Sequence, residues 1–80
     1  MQQVSCQFAI YPLGPEPLGP AIDAAIEAVR AHGLQVEPGA MSTIIAGPSD
    51  VVFAALADGF EAAAHRGCVL VATVSNACPT

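Results

Sequence analysis

The stretch VSCQFAIYPLG, Val4 to Gly14, decides the fold. Val4, Cys6, Phe8 and Ile10 alternate with Ser5, Gln7, Ala9 and Tyr11, which is the two-residue period of a strand with one face on a core. Pro12 has no N–H to give to a sheet and Gly14 permits a bend, so the strand stops there. The rest of the fold has to be assembled around it.

Working outward, Gly14 to Pro20 holds three prolines and two glycines and reads as a loop. Pro20 suits the first turn of a helix. Ile22, Ala25, Ile26 and Val29 then recur at helical spacing, Asp23, Glu27 and Arg30 point elsewhere, and Gly33 closes the helix. Leu34 to Glu37 reads as a short strand, Pro38 and Gly39 as a turn, and Met41 to Ala46 as the second arm of a hairpin ended by Gly47 and Pro48. Ser49 is placed to cap a second helix, with Asp50 in its first turn. Val52, Phe53, Leu56, Phe60 and Ala63 supply its apolar side, and Gly67 stops it. Cys68 to Ser75 is a nearly continuous apolar run, the last strand.

The order β-α-β-β-α-β predicts an α+β, ferredoxin-like sandwich: a four-stranded antiparallel sheet with two helices on one face, as one domain over residues 1–80. The chain echoes itself, since Glu27, Ala28 and Gly33 return 34 residues later as Glu61, Ala62 and Gly67. A tetratricopeptide array is excluded, because strands separate the helices and only two copies fit.

Composition narrows the partners. Only 11% of residues are charged and 54% are hydrophobic, against a usual charged share of about 25%. Too few charges are available to cover a small monomer, so a homodimer or homotetramer is expected, using the bare face of the sheet. The net charge is −5 and the fixed cations are Arg30 and Arg66. That argues against nucleic acid and against anionic membrane surfaces. There is no apolar run of about 18 residues and no basic, apolar leader at the start, so a cytoplasmic location is expected. Cys6, Cys68 and Cys78 show no paired spacing and read as small apolar side chains. His32 and His65 fall in helix C-terminal turns, where the dipole favours a cation, and they lack metal-ligand spacing. Asp58 and Glu61 read as solvated, without a partner for acid–base work. No catalytic group, metal or cofactor is expected.

Polar groups inside apolar strands remain. If Met41 and Ile45 face the helices, Thr43 faces them too; Thr73 and Ser75 interrupt the last strand similarly. A buried hydroxyl without a partner costs about 1–3 kcal/mol. Either each hydroxyl bonds nearby backbone, or threonine is there for its strand propensity, or Thr43, Thr73 and Ser75, with Ser42 and Asn76, line a small-molecule pocket between helices and sheet. In that last reading Phe8, Phe53 and Phe60 supply flat walls for a ring.

Three segments carry a family resemblance. QFAIYPLG (Gln7 to Gly14) resembles the opening strand of the thiamine- and hydroxymethylpyrimidine-binding proteins of the YkoF and MTH1187 types. PGAMSTIIAG (Pro38 to Gly47) resembles their hairpin, with Gly39, Met41, Thr43, Ile45 and Gly47 matching in order. TVSNACP (Thr73 to Pro79) is similar to the ending of the YkoF branch. The resemblance implies a ferredoxin-like fold and non-catalytic binding of thiamine or its hydroxymethylpyrimidine part, in thiamine uptake or salvage. It carries Thr43 over directly by position, and Thr73 less directly. Ala46 and Ala40 depart from the MTH1187 branch, which has glutamate and proline there. YkoF-type proteins hold two such modules in tandem; here a second copy of the chain would take the neighbour's place. Rival readings are an ACT-like regulatory module for another metabolite, with Gly14 after the first strand, and a purely structural oligomeric subunit. A small acylphosphatase-type enzyme would need an anion-cradling arginine, and neither Arg30 nor Arg66 is well placed.

Overall fold

The computed structural model describes residues 2–77. Its elements are β1 (Gln3–Pro12), α1 (Gly19–Arg30), β2 (Gln35–Pro38), β3 (Thr43–Pro48), α2 (Ser49–Ala63) and β4 (Cys68–Ser75). The strands form one antiparallel sheet in the order β2-β3-β1-β4, with β1 central. The β-α-β-β-α-β order and the ferredoxin-like architecture are those read from the sequence.

Register fixes which face meets the helices. Cys6 lies opposite Ile45 and Val74, and Phe8 opposite Thr43 and Ala72. These pairs lie on the helix side, where Val4, Cys6, Phe8, Ile10 and Ile45 pack against Ala21, Ala25 and Val29 of α1 and Val52, Ala55, Leu56 and Ala63 of α2. Period-two alternation sends Ser5, Gln7, Ala9 and Tyr11 to the opposite face. Small residues let the helices approach closely: a Cβ on Gly59 would sit 2.9 Å from Val29 Cγ2 and 3.4 Å from the Ala25 carbonyl. Gly33, at φ 77°, turns the chain out of α1, a conformation glycine adopts without steric cost.

Several local expectations are corrected. Ser49 does not cap α2. The helix starts at Ser49 itself, the N-cap is Pro48 without a side-chain hydrogen bond, and the Ser49 N–H donates to the Gln2 carbonyl at 2.8 Å. β3 thus runs straight into the helix, and the end of the sheet supplies the acceptor. Met41 does not face the helices: it is 87% exposed and β3 begins only at Thr43. Phe53 and Phe60 are also exposed. The stripe Val52, Ala55, Leu56, Gly59 and Ala63 fills the buried side of α2, and both phenylalanines fall beside it. His32 lies past the end of α1, where its Nε2 is 2.7 Å from Asp58 Oδ2 and ties the two helices together.

Cys6 is buried and Cys68 half-buried, and both are free thiols. Burial pushes the Cys6 thiol pKa up. Cys78, and with it the end of the TVSNACP stretch, lies outside the described residues. Among the described residues no helix is long and apolar enough to cross a membrane.

Candidate functional site

The two strands flanking β1 differ in reach. β3 pairs with β1 from Gln3 to Phe8, whereas β4 continues along it to Pro12. From Ala9 to Tyr11 the central strand therefore has a neighbour on one edge only. Unpaired backbone N–H and C=O groups need partners, and an edge of this kind is a template for an incoming group.

That edge forms one wall of a slot of about 300 Å³. α1 forms the second wall with Ile22 and Ile26, and the β2–β3 turn forms the third with Met41 and Ser42, continued by Thr43 at the start of β3. Five consecutive residues of β1, Phe8 to Pro12, border the slot. Their side chains alternate faces, so the slot runs along the strand's edge rather than over one side of the sheet. Phe8 and Thr43 are buried within it, and among the described residues no charged one lines it. Three of its bordering residues, Tyr11, Leu18 and Met41, are large apolar groups left exposed at 53%, 47% and 87%. Apolar surface clustered at a concavity marks a place where something binds.

A second, wider depression of about 620 Å³ lies on the helix-free face. Ser5, Gln7, Gln35, Glu37, Thr73 and Ser75 line it. Thr73 is opposite Gln7 and Ser75 opposite Ser5, both outward residues of β1.

The expected site residues are thereby divided. Phe8, Ser42 and Thr43 come together in the slot. Thr73 and Ser75 do not lie between helices and sheet. In β4 the register turns Leu70 and Val74 inward, partnering Ile10 and Cys6, so Thr73 and Ser75 must point outward. The Ser75 hydroxyl accepts the Ala77 N–H at 3.1 Å. Asn76 is also outside the slot, its amide donating to Gln2 Oε1 at 2.6 Å near the start of β1. Phe53 and Phe60, on the outer side of α2, line neither depression. Among the described residues no buried side-chain nitrogen or oxygen lacks a partner.

Sequence reading missed Ile22 and Ile26 as site residues because they belong to the apolar stripe of α1. The buried members of that helix are Ala21, Ala25 and Val29, while the two isoleucines are only half-buried at its margin. A stripe wider than alanine-on-sheet packing requires was the available signal.

The family described as Thiamine-binding protein matches residues 6–76. Among solved structures, a domain of unknown function, DUF77, from Bacillus cereus is 27% identical, with a TM-score of 0.83 over 92% of this chain and 75% of that one. A hypothetical protein from Methanocaldococcus jannascii is 23% identical, with a TM-score of 0.89 over 100% of this chain and 86% of that one. A proposed thiamine biosynthesis/salvage protein from Thermotoga maritima is 18% identical, with a TM-score of 0.80 over 91% of this chain and 82% of that one. No curated protein matches this chain.

Proposed function

Because this chain belongs to the thiamine-binding protein family, and so has a thiamine-related role, we propose that the slot beside Thr43 binds the aminopyrimidine ring of thiamine or free hydroxymethylpyrimidine, without catalysis. The single observation that carries this reading is an uncharged, apolar slot holding Thr43, Ser42 and the unpaired edge of β1. An aminopyrimidine is flat, with ring nitrogens that accept and an exocyclic amine that donates. Hydroxyls and backbone amides can satisfy both, and Phe8, Ile22 and Ile26 offer apolar walls for the ring.

The lining also ranks the ligands. The cationic thiazolium belongs outside the slot, where the chain's net charge of −5 favours it. Phosphorylated thiamine finds no cation in the lining to hold its phosphates. An amino acid would bring two charges into a lining that has none, which weighs against an ACT-like regulator. Exposed Tyr11, Leu18 and Met41 around a concavity weigh against a purely structural subunit. A non-catalytic carrier of this kind fits thiamine uptake or salvage in the cytoplasm.

The same proposal includes self-association through the helix-free face. Ile44, Val69 and Val71 are exposed there beside Tyr11. Glu37 is the acidic residue lining its depression. Glu16, Asp23, Glu27, Asp50, Asp58 and Glu61 lie on the helices or their connections. Two copies of an acidic chain repel least across such a face.

Isothermal titration with thiamine, hydroxymethylpyrimidine and thiamine diphosphate tests the reading. Thiamine and hydroxymethylpyrimidine are expected to bind with similar affinity and the diphosphate no more tightly. A ligand at about 100 times its Kd should add about 2.7 kcal/mol to stability. Absence of binding by both unphosphorylated ligands would remove the proposal.

A further inference from the structure

The segment that joins two lining residues of the slot, one from β1 and one before α1, is short of hydrogen-bond donors. Between Pro12 and Leu18, both of which line the slot, the chain reads Leu13-Gly14-Pro15-Glu16-Pro17. Pro15 and Pro17 contribute carbonyls but no N–H. With two of its five N–H groups missing and that of Leu13 given to the Gly67 carbonyl, the segment has few donors of its own for its carbonyls.

Arg66 supplies them. It sits in the connection between α2 and β4, some fifty residues away in sequence. Its Nε and Nη2 donate to the Leu13 carbonyl at 2.9 and 2.7 Å, and its Nη1 donates to the Pro17 carbonyl at 2.9 Å. Nη2 also reaches the Gly14 and Glu16 carbonyls at 3.3 and 3.2 Å. The Leu13 N–H donates to the Gly67 carbonyl at 2.7 Å, which closes the same latch from the other side. One planar guanidinium thus spans four backbone acceptors, a geometry a lysine ammonium cannot reproduce. Among the described residues the arginine has no carboxylate partner in its hydrogen bonds, and its fork is given to this strap.

We propose that Arg66 is a positioning residue for the slot: by latching the 13–17 strap it fixes Leu18 at the mouth and sets the slot's width. This rests on the reading of the slot as the ligand site. An ordered wall lowers the conformational entropy lost when a ligand is enclosed, so the latch acts on affinity through pre-organisation rather than contact.

Arg66→Gln and Arg66→Lys test it on the full chain by two independent readouts. Hydrogen exchange is expected to accelerate about tenfold at the Leu13 amide, which is bonded to the Gly67 carbonyl, with the core of β1 and α1 unchanged. Affinity for thiamine is expected to fall about tenfold. Methylguanidinium added to Arg66→Ala should restore part of that affinity. Val52→Ala, which weakens the core from α2 away from the slot, should lose stability but keep wild-type affinity. If the wild type binds thiamine and both Arg66 variants bind equally well, the positioning role is overturned. If the wild type binds neither thiamine nor hydroxymethylpyrimidine, the slot reading fails, and the latch is judged by exchange alone: unchanged protection at Leu13 overturns it as well.

Discussion

The slot beside Thr43 and the depression around Thr73 are built from similar residue types on opposite sides of one sheet, yet they differ in size, in charge and in backbone pairing. The depression is about twice as large, 620 against 300 Å³, and is floored by side chains from all four strands. The slot is smaller, has a helix on one side and an open strand edge on another, and has no charged residue among the described ones in its lining. Hydroxyls on a strand are thus not enough to make a site. A helix wall and unpaired backbone groups are what separate the two, and the free edge arises because β3 stops four residues short of β4 along β1, at Phe8 rather than Pro12.

Substitutions can break this contrast, beginning with the largest effect. Phe8→Ala removes a ring that serves both core and slot, and is expected to cost about 3–5 kcal/mol in a urea titration. Unchanged stability would mean that Phe8 is not the shared floor. Thr43→Val keeps the shape and deletes the hydroxyl. Affinity for hydroxymethylpyrimidine should drop by about 1–3 kcal/mol, the cost of leaving a buried neutral group unpaired, while the fold persists, and a calorimetric Kd equal to wild type would take Thr43 out of the site. Val71→Lys places a charge on the helix-free face. Sedimentation should show self-association weakened by about 1–2 kcal/mol, with the slot's affinity unaffected; an unaltered oligomer would move the interface elsewhere.

Smaller effects sharpen the same comparison. Thr73→Val should change thiamine affinity by less than about 0.5 kcal/mol, and a loss matching that of Thr43→Val would reunite the two faces as one site. Cys6 offers a check on the sheet between them. Burial raises its thiol pKa in the folded state, so its contribution to stability is complete below the ordinary thiol pKa. That contribution is lost as pH rises through the folded value. Iodoacetamide should accordingly label Cys6 more slowly than Cys68 at neutral pH; equal rates would show that the helix layer does not seal the sheet.

The fold was legible because its signals are local. The alternation from Val4 to Tyr11, the helical recurrence of Ala25 and Val29, and the glycines and prolines between elements each act over a few residues. The site was legible only in part. Thr43 could be placed under the helices by counting from Ile45. Counting alone could not place Thr73, because the facing of β4 depends on its register against β1. The helix stripe around Val52 could not exclude Phe53 and Phe60 either, since small residues fill the interface there and leave no room for a second aromatic row.

By itself, then, the sequence determined the order of elements, the central strand, the shortage of charge and the Thr43 hairpin, since periodicity and backbone restriction operate within a short stretch of chain. The tertiary structure alone decided that Thr43 and Thr73 part company, that β1 keeps a free edge from Ala9 to Tyr11, and that Arg66 reaches back to the strap. Each of those depends on strand register and on contacts between distant segments, which no local pattern encodes.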